Sequence, residues 1–155
     1  MAIRSRRFSS RSLGLFVLSV FFACAPAPRI SLQYGTEFKQ AEIEKVLAEN
    51  PLGASENIKI TILGQGQGVS HHLVQVRDRE KSHVHKIHDG TVVMVKGGGY
   101  LVMENRRIDM SAGDIVYIPR NAVHYFVNTA SEPTVAFVVF SPPFDGKDTV
   151  PVEKP

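Results

Sequence analysis

Apolar and polar positions along the 155 residues change their period several times. Leu13 to Ala23 is a short, almost wholly apolar run, too short to span a bilayer as a permanent helix. Ala25 to Gly35 is Pro-rich and without period, the pattern of a short tether. From Glu37 to Glu49, good helix formers place Phe38, Ala41, Ile43, Val46 and Leu47 on roughly one face, and Asn50-Pro51 supplies a stop. This pattern predicts one short helix.

Beyond Ile58 the period shortens to that of strands. β-rich runs at Ile58 to Leu63, Ser70 to Arg77, Thr91 to Lys96, Tyr100 to Glu104, Ile115 to Ile118, His124 to Asn128 and Thr134 to Phe140 alternate with turn signals. The turn signals are Gly64 to Gly68, Gly97-Gly98-Gly99, Asn105-Arg106-Arg107 and Ala112-Gly113-Asp114. The expected fold is all-β, a sandwich or a barrel, preceded by one helix. A single domain over 36–155, with its core about 58–141, accounts for the chain length.

Charge changes the picture only at the N-terminus. Four of the eighteen basic residues, Arg4, Arg6, Arg7 and Arg11, precede the apolar run, leaving fourteen against fifteen acidic ones in the body. A near-neutral body without a basic stripe gains little from counterion release, which argues against nucleic acid as a partner. Basic residues followed by an apolar run read as an export signal over 1–24. Phe21-Phe22-Ala23-Cys24 resembles the lipobox of bacterial lipoproteins, with Phe21 in place of the usual Leu. That implies lipidation of Cys24 and a membrane contact made only through this anchor, in the periplasm or cell envelope. Ala23-Cys24-Ala25 is the alternative of ordinary cleavage, disfavoured by Pro26. Ser5-Arg6-Arg7-Phe8 resembles a twin-arginine signal, with the Phe one place early. One cysteine allows no intrachain disulfide.

The candidate chemistry lies in the histidines. Five of the six, at 71, 72, 83, 85 and 88, are closely grouped. On an extended strand His83 and His85 share a face, the spacing that two ligands of one metal ion need. Only one of His71 and His72 can face the interior. Tyr117 and Tyr125 read as packing residues, and Arg77, Arg79 and Arg120 as solvated charges.

The segment Gly113 to Asn128 resembles the second motif of the cupin superfamily, matching at Gly113, Pro119, His124 and Asn128, with Asn121 in place of an inner glycine. His83, His85 and Gly97 resemble the first motif, whose Glu is missing. The resemblance covers about Gly68 to Pro143. It implies a small double-stranded β-helix, or jelly-roll barrel, in which His83, His85 and His124 hold one divalent transition metal (Fe, Mn, Zn, Ni or Cu). Asp89 stands nearest the missing Glu and is the expected fourth ligand, with His88 its rival. Neutral imidazoles suit such ions, and occupancy is expected to fall below about pH 6.

The implied function is a metal-dependent enzyme acting on an oxygen-bearing small molecule, of dioxygenase, decarboxylase or isomerase class. The alternative is a non-catalytic module that binds metal or a small metabolite in the envelope. Pairing of two copies through a barrel face is a common arrangement in the family. Ser141 to Asp148 leaves the last strand either as a cover over the barrel mouth or as an inert tail.

Overall fold

The structure, a computed structural model, describes residues 28–153. Residues 1–27, which include the expected export signal, Cys24 and the first part of the expected tether, lie outside the described residues. Among those described, no helix is long and apolar enough to cross a membrane.

Two strands, β1 (Arg29–Tyr34) and β2 (Glu37–Glu42), form an antiparallel hairpin leading into a helix, α1 (Ile43–Glu49). The barrel strands follow: β3 (Ile58–Gln65), β4 (Ser70–Val76), β5 (His83–Val84), β6 (Asp89–Lys96), β7 (Gly98–Met103) and β8 (Arg106–Ser111). The last four are β9 (Ile115–Ile118), β10 (His124–Asn128), β11 (Thr134–Ser141) and β12 (Val150–Pro151). They form two five-stranded sheets, ordered β12-β5-β10-β7-β8 and β3-β4-β11-β6-β9, with every pairing antiparallel. The architecture is the small all-β barrel expected.

Three local expectations are corrected. The tether was expected to run to Gly35, but Ile30, Leu32 and Tyr34 alternate with polar residues, and this period of two pairs them into a strand. The helix was expected from Glu37 and begins only at Ile43, because the hairpin claims Glu37 to Glu42 for its second strand. Strand β8 went unread because its charged start, Arg106-Arg107, resembles a turn; Ile108 pairs with Leu101, while Met110 is buried.

Both faces of the middle of the second sheet, at β4 and β11, are covered. On β4, Val74 and Val76 point between the sheets with Met94, Leu101, Phe126 and Phe140. Leu73, on the other face, packs against Val135, Ile43 and Val46, which brings the hairpin and helix onto the outside of the sheet. Alternation places His72 inside, fully buried beside Phe140, and His71 outside, where its Nδ1 lies 2.5 Å from the Tyr34 hydroxyl. These are structural placements for both histidines.

The motif residues serve the turns. Gly97 has a φ of +78°, and a Cβ there would meet Thr134 Oγ1 at 2.9 Å, so only glycine fits. Asn121 has a φ of +66°, where asparagine replaces the motif glycine at little steric cost. The amide of Asn128 donates to the carbonyls of Arg77 and Glu132, while its oxygen accepts from Ala130 N–H and the Thr134 hydroxyl, closing the turn between β10 and β11.

Candidate metal centre

His83 begins the two-residue strand β5 and pairs directly with His124 at the start of β10, so the two rings face each other across one ladder position. His85 lies just beyond β5 and returns to the same face. The ring centroids are 4.3 Å apart for His83 and His124, 5.0 Å for His83 and His85, and 5.3 Å for His85 and His124. All three side chains are buried, and one nitrogen from each lies within 4.8 Å of the others. Such spacing suits one shared ion.

Each ring is fixed by its other nitrogen. Nδ1 of His83 donates to the carbonyl of Lys81 at 2.8 Å, Nδ1 of His124 to that of Ala122 at 2.9 Å, and Nδ1 of His85 to that of Asp148 at 2.5 Å. A carbonyl only accepts, so all three Nδ1 atoms carry the proton and all three Nε2 atoms present lone pairs. Burial depresses the basicity of each ring. His124 is lowered to about 4, by desolvation first and by the neighbouring His83 next; His83 and His85 are lowered chiefly by desolvation. The triad is therefore neutral at pH 7, the state a transition metal requires. The donor set, three imidazole nitrogens with no thiolate, fits Fe, Mn, Ni, Cu or Zn.

The structure does not bring Asp89 to this cluster. Both carboxylate oxygens are taken by Arg120, Oδ1 by its backbone N–H and Nε at 2.9 and 3.2 Å, Oδ2 by its guanidinium at 2.5 Å. Those hydrogen bonds hold the carboxyl at about 2. The cause is strand parity: on β6, Gly90, Val92 and Met94 line the interior, so Asp89 lies on the opposite face. The expectation that Asp89 is the fourth ligand is therefore corrected: its strand turns the opposite parity to the cavity. His88, the rival ligand, is also committed, with Nδ1 2.7 Å from the Asp148 carboxylate and Nε2 3.2 Å from the carbonyl of Pro143.

Two functional-site residues escaped the sequence reading. Asp148 belongs to the segment after β11, which is no inert tail: Phe144 is buried against Phe140, and β12 pairs with β5. Burial would raise the Asp148 carboxyl, but hydrogen bonds from the N–H of Ile87, from His88 and from the N–H of Lys86 outweigh it and hold the group at about 2. Glu80 is the second. It lines the interior beside the triad and accepts a hydrogen bond from Phe126 N–H at 2.9 Å; desolvation raises its pKa, opposed by that bond and by His85. In the sequence, Arg77-Asp78-Arg79-Glu80-Lys81 is a charge run with no period, which hid it. Tyr117 is exposed, whereas Tyr125 is buried with the Arg79 guanidinium 5.7 Å from its ring.

The triad opens into a cavity of about 360 Å³ between the sheets. Its walls are mainly aliphatic, and Phe140 and Phe144 stand edge-on to His85.

Known proteins share this fold. A cupin domain family matches residues 70–140, the span from β4 through most of β11. An uncharacterized protein of Aquifex aeolicus is 38% identical over 112 residues, covering 72% of this chain and 91% of the relative. Among solved structures, KdgF from Halomonas sp. superposes with a TM-score of 0.56 at 23% identity, covering 63% of this chain and 91% of its own. Pac13 of Streptomyces, a nucleoside dehydratase, gives 0.53 at 21% identity over 63% and 79%. At such identities the two structures speak for the barrel alone. With the family match and the histidines at both motif positions in agreement, the chain carries a cupin domain over residues 70–140.

Proposed function

We propose that this chain is a metal-dependent enzyme of the cell envelope, in which His83, His85 and His124 hold one divalent transition ion that activates an oxygen-bearing small molecule. The observation that carries the reading is the closeness of three buried, neutral rings. Three backbone carbonyls fix three Nδ1 protons, leaving the Nε2 lone pairs free, and the three residues can each offer a ligand atom within 4.8 Å of the others. A bound ion would supply Lewis-acid or redox chemistry, with coordination positions left for a ligand. The chain's own residues do the rest: the aliphatic walls exclude water, and Glu80 is a half-buried carboxyl able to accept or return a proton within the cavity. Dioxygenase, decarboxylase and isomerase chemistry are the reaction classes in reach of such a site. The description of Pac13 as a nucleoside dehydratase supports catalysis in a barrel of this kind.

Export over residues 1–24 and lipidation at Cys24 complete the proposal, supported by the basic and apolar pattern of the leader. The second reading is a non-catalytic binding module, favoured by one observation: the carboxylate nearest the motif Glu, Asp89, is bound by Arg120 instead.

Oxygen uptake and substrate loss, followed over a panel of small molecules with metal-loaded protein of measured content, separate the two. Turnover that disappears on chelation supports the enzyme; stoichiometric metal without turnover on any member supports the binding module.

A further inference from the structure

The cavity's chemistry is lopsided. At one end stand the three histidines and Glu80, with Phe140 and Phe144 against His85; elsewhere the walls are Val74, Val92, Met94, Leu101 and Val138. Two of the polar side chains that line the cavity are already engaged, while Arg79, Lys81 and Thr149 stand at the end near Glu80 and the histidines. The Thr134 hydroxyl donates to the carbonyl of Gly98 and the amide oxygen of Asn128, and the Asn57 amide serves the carbonyl of Arg79. Glu80 is the only carboxyl among the lining residues, and it uses one oxygen on Phe126 N–H. The rim is mixed: Ile58 and Ile60 on edge strand β3 line the cavity while remaining 37% and 45% exposed, and the exposed Asn57, Arg79 and Lys81 stand at its edge beside Glu80.

A ligand with several hydroxyls would find partners for those at the histidine end and none along the walls. Each hydroxyl buried without a partner costs roughly tenfold in affinity. A ligand with an apolar body leaves no group unpartnered along those walls. We propose that the site takes a small molecule with an aromatic or branched aliphatic body and a single oxygen-bearing head, the head at the histidine end and the body among the aliphatic walls. This rests on the metal reading above for the head, and on the cavity walls alone for the body. A sugar acid or a nucleoside is the wrong class for this cavity.

Calorimetric titration of the full chain tests it, with metal content measured before and after each run. The probes are catechol, toluene, gluconate and uridine, each added to metal-loaded and to chelator-stripped protein. The expected result is catechol binding at least tenfold tighter than gluconate or uridine to the loaded protein, and weakening at least tenfold on stripping. Toluene is expected to bind both forms alike. Gluconate or uridine binding as tightly as catechol, while metal is retained, overturns the proposed ligand class and leaves the metal reading standing. Catechol affinity unchanged by stripping overturns the placement of the head. If the protein retains no metal, the metal reading fails by itself, and toluene binding without gluconate binding still supports the apolar body, whereas its absence overturns it.

Discussion

The backbone carbonyl of Asp148 accepts the Nδ1 proton of His85 at 2.5 Å, while its carboxylate accepts from the N–H groups of Lys86 and Ile87 just beyond that histidine. One residue near the C-terminus thus orients a ring and fastens the loop that carries it. His88 joins the same carboxylate, so the fastening has three partners. Replacing Asp148 by alanine removes all three side-chain bonds and lets the segment move, although the backbone carbonyl remains. Metal affinity is expected to fall about 10- to 100-fold, the usual effect of losing a group that orients a ligand. Folding stability is expected to fall by about 2 kcal/mol. Competition with a chromogenic chelator and a thermal melt measure the two, and D148N is expected to lie between wild type and D148A.

Asp89→Asn gives the opposite pattern. Its carboxylate faces Arg120, not the triad, so metal content is expected to match wild type. A small drop in melting temperature from the weakened pairing with Arg120 is the only change expected. Elemental analysis of the variant beside wild type decides it, and loss of the ion in D89N would restore Asp89 to the ligand set.

Much of this centre was legible because both motifs place histidines where strand alternation makes position meaningful. Parity set His83 and His85 on one face, and His124 joined them through the resemblance to the second cupin motif. Asp89 misled because Thr91 to Val95 is apolar on both faces: Val92 and Met94 face the cavity, while Val95 packs under the helix, so hydrophobic alternation cannot report which way β6 is turned. Asp148 and Glu80 were illegible for another reason. Their roles come from long-range contacts, with Ile87 and Phe126, that no local period announces. Strands Ile115–Ile118 and His124–Asn128 match their expected bounds, while β1 and β2 were hidden by a proline-rich approach and by helix-forming residues.

The depressed basicity of His124 predicts a pH dependence in metal-free protein. Its pKa is about 4 folded against 6.5 for a free ring, so below pH 6.5 the unfolded chain takes up a proton that the folded one refuses. The stabilising contribution is complete above pH 6.5 and is lost as pH falls toward 4, by at most about 1.4 kcal/mol per pH unit. Glu80, whose pKa is raised, works in the opposite sense and is present in both proteins when wild type is compared with H124Q. The stability advantage of wild type over H124Q is expected to shrink between pH 6.5 and 4, measured by urea unfolding; an advantage that grows as pH falls contradicts the account.

The proposed anchor is tested by Cys24→Ser. Wild type is expected in the membrane fraction, released by detergent and not by high salt, because an acyl chain binds through apolar burial. C24S is expected to leave that fraction. Equal partitioning of the two proteins would remove the lipid anchor from the proposal.

The central claim is that three rings hold one ion. Metal content per chain, determined by elemental analysis on wild type and on His124→Ala, tests it most directly, with circular dichroism establishing that both are folded. The account predicts close to one transition-metal ion per wild-type chain and almost none in folded H124A, because two imidazoles alone bind far more weakly than three. A folded H124A that retains its metal, or a wild type that takes up none from any of the five candidate ions, would contradict it.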